Sequence, residues 1–96
     1  KGIVKKHNQI EKLIKKMSKE APLVGPINFQ FIETDDNSLY FLEVNPRIAG
    51  GMALGIAASE NWINPIIDNF INNISIKPKT IKYNLKMFRY YAESFI

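Results

Sequence analysis

Four side chains carry the clearest chemistry in this sequence: Asn28, Gln30, Glu43 and Asn45. They sit in two runs that alternate with apolar residues. Residues 26–34 read Pro-Ile-Asn-Phe-Gln-Phe-Ile-Glu-Thr, and residues 39–45 read Leu-Tyr-Phe-Leu-Glu-Val-Asn. Alternation of period two predicts strands. Between them, Asp35-Asp36-Asn37-Ser38 has turn composition. A two-residue loop at Asp36-Asn37, or a four-residue loop with Thr34 opposite Leu39, gives one and the same pairing. Phe29 then faces Val44 and Phe31 faces Leu42. On the other face Gln30 opposes Glu43 and Asn28 opposes Asn45. Opposed side chains have Cβ atoms about 5 Å apart. Four oxygen-bearing groups therefore form a square at the end of the hairpin away from its turn. Nearer the turn this pairing puts Ile32, Phe41, Thr34 and Leu39 on the same face, so the square adjoins apolar surface and reads as a cleft floor. Carboxylate and amide oxygens suit a hard cation, Mg²⁺ or Mn²⁺, with phosphate and water completing its shell. Taken alone, the geometry equally describes a cross-strand polar pair on a wet face.

The residues that follow give the square a context. Residues 43–51 read Glu-Val-Asn-Pro-Arg-Ile-Ala-Gly-Gly. With Gly25 through Gln30 upstream, this resembles the end of an ATP-grasp domain of the carbamoyl-phosphate synthase large-chain type, similar in outline to biotin carboxylase. The resemblance spans roughly residues 8–72. It rests on a Glu-x-Asn-Pro-Arg run at a strand end with a Gln at the opposed position. The resemblance implies that Gln30 and Glu43 hold one Mg²⁺ or Mn²⁺ and that Glu43 and Asn45 hold a second, both bridging the phosphates of ATP. It implies that Arg47 approaches the transferred phosphate or an acyl phosphate; the alternative is a salt bridge capping the loop. Asn28 either orients Asn45 or touches a ligand. Gly50 and Gly51 would let backbone approach substrate before a helix begins near Met52, or form a plain loop. The implied activity is that of an ATP-dependent ligase joining a carboxylate to ammonia, an amine or a thiol, releasing ADP. Its partners would be ATP and a carboxylate substrate in a cytoplasmic parent protein.

The elements around the hairpin define an α+β chain: an antiparallel sheet with flanking helices, read as one partial domain over residues 1–96. Ile3, His7, Ile10, Leu13, Ile14 and Met17 predict an amphipathic helix in the first twenty residues, ended by Ala21-Pro22. That segment holds seven lysines against two glutamates, so all of the chain's net charge of +4 resides there. A basic helix also allows a second reading, a binding or interaction module for nucleic acid or protein. The helix lacks the aromatic residues that stack on bases, which speaks for a solvated face. His7 reads as packed or half exposed, with nothing nearby to pair with it. Residues 52–59 predict a packed helix. Asn64-Pro65 opens another, with Ile66, Ile67, Phe70, Ile71 and Ile74 as its core stripe and Trp62 as a core plug. Ile81, Tyr83, Leu85 and Met87 predict a last strand, which Phe88–Tyr91 continue or bulge from, with Arg89, Tyr90 and Tyr91 packing against the sheet rather than forming a site.

Composition bounds the alternatives. The chain has no cysteine and one histidine, which excludes disulfide scaffolds, thiolate metal sites and any site needing two imidazoles. No run approaches the roughly 18 apolar residues of a membrane span. The first residue is lysine, and the lysines and glycine-rich lid that grip nucleotide in ATP-grasp domains are not identifiable. The chain is therefore expected to carry the metal floor but not to turn over ATP alone. It is also expected to leave core and sheet edges uncovered, and so to self-associate.

Overall fold

The chain is described over residues 1–96 by a computed structural model. It opens with a two-residue strand, β1 (Gly2–Ile3), followed by the helix α1 (Asn8–Glu20). The helix begins five residues later than the spacing of Ile3 predicts. Ile3 is drawn into a strand because backbone partners exist for it: Val4 N–H donates to the Leu85 carbonyl (2.9 Å), and Val4 in turn accepts from Asn84 N–H (2.6 Å). His7 is the residue that starts the helix. Its backbone is extended, and its Nδ1 accepts the Ile10 N–H at 3.2 Å. From there Ile10, Leu13, Ile14 and Met17 make the half-buried face, and the lysines lie exposed. Ala21, extended at φ −124°, ends the helix before Pro22.

Gly25 at φ +98° turns the chain into β2 (Asn28–Glu33), a backbone conformation open to glycine without strain. β2 pairs antiparallel with β3 (Leu39–Asn45). The connection has three residues, Asp35-Asp36-Asn37, closed by Thr34 N–H to the Ser38 carbonyl (3.0 Å). Asn37 occupies the left-handed region at φ 62°, as three-residue hairpin loops require. Neither the two-residue nor the four-residue loop expected from sequence is adopted. Near the turn the pairing is accordingly shifted by one: Glu33 faces Leu39, Ile32 faces Tyr40 and Phe31 faces Phe41 rather than Leu42. Phe31 and Phe41 meet edge-to-face, centroids 5.7 Å apart. Phe41 and Leu39 therefore leave the face assigned to them, and Tyr40 replaces them beside Ile32.

Asp36 braces this turn. It accepts from the Thr34 hydroxyl, from Ser38 N–H (3.2 Å) and from the Ser38 hydroxyl (3.0 Å). These bonds hold its carboxyl below the ordinary aspartate range, the Thr34 hydroxyl contributing most. A lowered folded-state pKa stabilises the fold above the ordinary value, about pH 4, and that contribution is lost as pH falls through the folded value. We expect the Asn37 and Ser38 amide resonances to move together below about pH 4 and to lose that dependence in Asp36→Asn. Turn resonances indifferent to acid in the wild type would contradict the brace.

After the hairpin come α2 (Met52–Ala58) and α3 (Ile63–Asn72). Trp62 is the N-cap of α3 and Ile63 its first residue, so Pro65 is its third residue rather than its first. It remains within the first turn, where its missing N–H has no intrahelical partner to lose. Asn73 in the left-handed region (φ 53°) ends α3, and Asn69 donates to the Ile74 carbonyl at 2.8 Å. A third left-handed asparagine, Asn84 (φ 66°), precedes β4 (Lys86–Met87), which pairs antiparallel with β1. The long final strand expected over Ile81–Met87 is thus two residues, and Phe88–Tyr91 lie outside any strand. A Cβ on Gly2 would come within 3.2 Å of Leu54, so the glycine lets the β1–β4 ladder sit against α2. Lys82 N–H donates to the Ala58 carbonyl (2.7 Å), and Ala58, 2% exposed, is the chain's one fully buried residue.

The architecture is α+β as expected, but with two separate two-stranded sheets in place of one. The stripe on α3 is not core. Ile66 is half-buried, whereas Ile67, Phe70, Ile71 and Ile74 are exposed, as is Trp62. Phe88, Tyr90 and Tyr91 are likewise exposed and pack on no sheet. The cause is visible in the dimensions: the radius of gyration is 15.7 Å, against about 13 Å for a compact chain of this length. The elements lie spread out, so apolar faces with the correct period find nothing opposite them.

Candidate functional site

The site is built by a β-bulge. Beyond Phe31 the hairpin changes register by one residue, and Leu42 is the extra residue on β3. That restores the pairing of Gln30 with Glu43, Phe29 with Val44 and Asn28 with Asn45. Had the pairing set by the turn run on unbroken, Gln30 would oppose Leu42 and Glu43 would lie on the apolar face with Phe29. The sequence reading assembles the same square from a loop of different length; two offsetting changes, a three-residue turn and a bulge, lead to one arrangement.

Within the square Asn45 Nδ2 donates to Glu43 Oε1 at 2.8 Å. Asn28, Gln30 and Asn45 are half-buried and Glu43 is exposed. The donors are one carboxylate and three amide oxygens, all hard, and this chemistry fits Mg²⁺ or Mn²⁺. No group of three or more His, Cys, Asp or Glu residues gathers anywhere in the chain. Glu43 is therefore the only anionic ligand of the square, and a cation there needs further oxygens from a bound phosphate or from water.

Past the strand end, Arg47 N–H donates to the Asn45 carbonyl (2.8 Å) and its guanidinium to the Ile48 carbonyl (3.2 Å). It makes no salt bridge: the chain's ion pair is Lys79–Glu60, and Glu33 is engaged by the His7 ring. Gly50 and Gly51 precede α2, and a Cβ at either position would meet nothing within 4 Å. Neither has the positive φ that favours glycine. Their surroundings are open space rather than packed protein. Arg89, read from the sequence as sheet packing, donates through Nη2 to the Gly50 carbonyl. Thirty-nine residues separate the two, and no local pattern announces the contact.

His7 lies apart from the square but is paired, contrary to the sequence reading. Its Nδ1 accepts from Ile10, so the ring proton resides on Nε2, which donates to Glu33 Oε1 at 3.1 Å. One imidazole thus caps α1 and ties it to the hairpin. His7→Ala is expected to cost about 1 kcal/mol, the usual loss for a helix cap, and to speed exchange of the Ile10 amide. His7→Asn, which keeps an acceptor, should restore that amide's protection. Equal protection in wild type and His7→Ala would refute the cap.

A cavity of about 550 Å³ lies elsewhere. It is an open apolar groove between the segment entering β2, α3 and residues 76–81, with Ile27, Trp62, Ile66 and Phe70 on its walls. None of Asn28, Gln30, Glu43 and Asn45 lines it, so groove and square are separate features. No helix is long and apolar enough to cross a membrane.

Comparison with protein families matches residues 2–91 to a family described as "ATP-grasp in the biosynthetic pathway with Ter operon". No curated protein and no solved structure matches the chain.

Proposed function

The chain belongs to this ATP-grasp family, and on that premise we propose that it carries the phosphate-side metal floor of an ATP-dependent ligase. The observation that bears most weight is the pairing of Gln30 with Glu43 and Asn28 with Asn45, immediately before Pro46 and Arg47. Gln30 and Glu43 would hold one Mg²⁺ or Mn²⁺, and Glu43 with Asn45 would hold a second. When bound, such ions neutralise charge on the phosphates during phosphoryl transfer. The chain's own residues do the rest. Glu43 supplies the fixed negative charge. Asn45, bonded to Glu43, is oriented by that carboxylate, and Asn28 lies opposite to limit its swing. Arg47, with no carboxylate partner, is available to an oxyanion of the substrate. Gly50 and Gly51 leave open space beside it.

The reaction class is attack of a substrate carboxylate on the γ-phosphorus of ATP, breaking its bond to the bridging oxygen of ADP and giving an acyl phosphate. Ammonia, an amine or a thiol then displaces phosphate. Kinship to carbamoyl-phosphate synthase large chains rests on the Glu-x-Asn-Pro-Arg ending and on Gln30. The reading takes the chain as one partial domain of a cytoplasmic enzyme whose partners are ATP and the carboxylate. Alone, the chain is expected not to turn over ATP.

The test is amide NMR of the chain titrated with Mn²⁺, with and without a non-hydrolysable ATP analogue. Paramagnetic broadening centred on Gln30, Glu43 and Asn45, sharpened by the analogue, is the expected result. Broadening confined to Asp35 and Asp36 would overturn the metal floor.

A further inference from the structure

Two guanidinium groups are hooked to one short loop. Arg47 donates to the carbonyl of Ile48 (3.2 Å), and Arg89 donates to that of Gly50. These carbonyls belong to residues two apart, whose Cα atoms lie within about 7 Å. Each guanidinium has five N–H donors, and each spends one on the loop. Neither is neutralised, because no carboxylate lies within ion-pair distance of either guanidinium. The loop between them contains Gly50 and Gly51, over which a Cβ would meet nothing within 4 Å. Two uncompensated, fork-shaped cations beside open space are matched to a planar or tetrahedral oxyanion.

We infer that Arg89 is an anion-binding residue of the site, which is held by the Gly50 carbonyl and, with Arg47, forms a paired oxyanion clamp over the glycine loop. The clamp ties the segment after β4 to the strand end that carries Glu43 and Asn45, joining parts of the chain that share no strand or helix. The inference deepens the proposed function, on which it depends only for what the oxyanion belongs to: a phosphate of the nucleotide or the carboxylate of the substrate. The clamp itself requires only an anion.

The experiment titrates the full chain, free of divalent metal, with inorganic triphosphate and separately with succinate. Amide shifts concentrated in Ile48–Met52, with movement of the Arg47 and Arg89 Nε–H resonances, are expected for at least one anion. The stronger of the two identifies phosphate or carboxylate as the preferred oxyanion. Arg89→Gln should weaken that binding about tenfold, in line with loss of one charge-assisted hydrogen bond. Arg89→Lys should fall between, since an ammonium keeps the charge but cannot hold carbonyl and oxyanion in one fork. Gly50 amide exchange should quicken in Arg89→Gln while α1 and the β2–β3 hairpin keep their spectra. Shifts mapped to the lysines of α1, or wild-type affinity in both Arg89 variants, would overturn the clamp. Mn²⁺ broadening at Gln30, Glu43 and Asn45 is read in parallel samples of each variant that receive Mn²⁺ and no anion. Loss of that broadening with anion binding intact refutes the metal floor and leaves the clamp standing; the reverse pattern refutes the clamp alone.

Discussion

Glu43→Ala is expected to remove Mn²⁺ broadening from Gln30 and Asn45 altogether, the largest single effect available in this chain. The reason is the composition of the square. Three of its four donors are neutral amides, and no group of three or more His, Cys, Asp or Glu residues gathers in the structure to hold a cation in its place. Magnesium and manganese are held through carboxylate and phosphate oxygens, and amide oxygens add to a site that a charge has already created. Removing the charge should weaken cation binding by more than tenfold. Removing Asn45 alone should cost less, no more than about tenfold, the low end for groups that orient a ligand, so the two variants are told apart by whether any broadening survives. Glu43→Gln separates charge from shape: it keeps a donor oxygen and the strand pairing but loses the anion, and should resemble Glu43→Ala. If Glu43→Gln instead binds Mn²⁺ as well as wild type, Glu43 is only the polar partner of Gln30 across the strands, and the ligase reading loses its physical basis in this chain.

The second large effect concerns assembly. Phe70 is 82% exposed and Ile71 70% exposed, on a helix whose apolar period is that of a buried one. With Ala58 as the sole fully buried residue, the chain retains most of its apolar surface in water, and covering a large apolar side chain contributes about 1.5–3 kcal/mol. Sedimentation at rising concentration should show dimers or larger species. Phe70→Glu with Ile71→Glu should shift the population towards monomer by about tenfold or more. Side chains this exposed support little else, so the helical circular dichroism of the double variant should match wild type. A wild-type chain that stays monomeric at high concentration would mean that α3 finds no partner in a second copy.

Much of the hairpin was legible because a strand repeats every two residues and its partner must follow suit. Leu39–Asn45 is found where alternation places it, and the polar square forms from the predicted residues. The turn was not legible. Asp35-Asp36-Asn37-Ser38 permits several loops, and the choice among them depends on Asn37 entering the left-handed region and on Asp36 collecting hydroxyl and amide donors. The bulge at Leu42 is equally silent, since a bulge leaves no residue-type signature in an apolar run. That the two compensate is a property of the folded pair of strands. His7 shows a different limit. Its place on the helical stripe was clear, but its partners, the Ile10 amide and Glu33, depend on where the helix starts and on how the hairpin lies against it.

By itself the sequence determined the local periods, the Glu-x-Asn-Pro-Arg ending with Gln30 in reach, the exclusion of thiolate and multi-histidine chemistry, and the concentration of positive charge in α1. These follow from short-range rules: side chains alternate along a strand, recur along a helix, and bring fixed chemistry wherever they lie. Only the tertiary structure decided that the apolar face of α3 stays uncovered, that the last strand shrinks to Lys86–Met87, and that Arg89 reaches the Gly50 carbonyl. Each depends on which surface, if any, stands opposite. Periodicity states which face of an element seeks a partner, whereas its burial depends on free energy shared with residues distant in the chain.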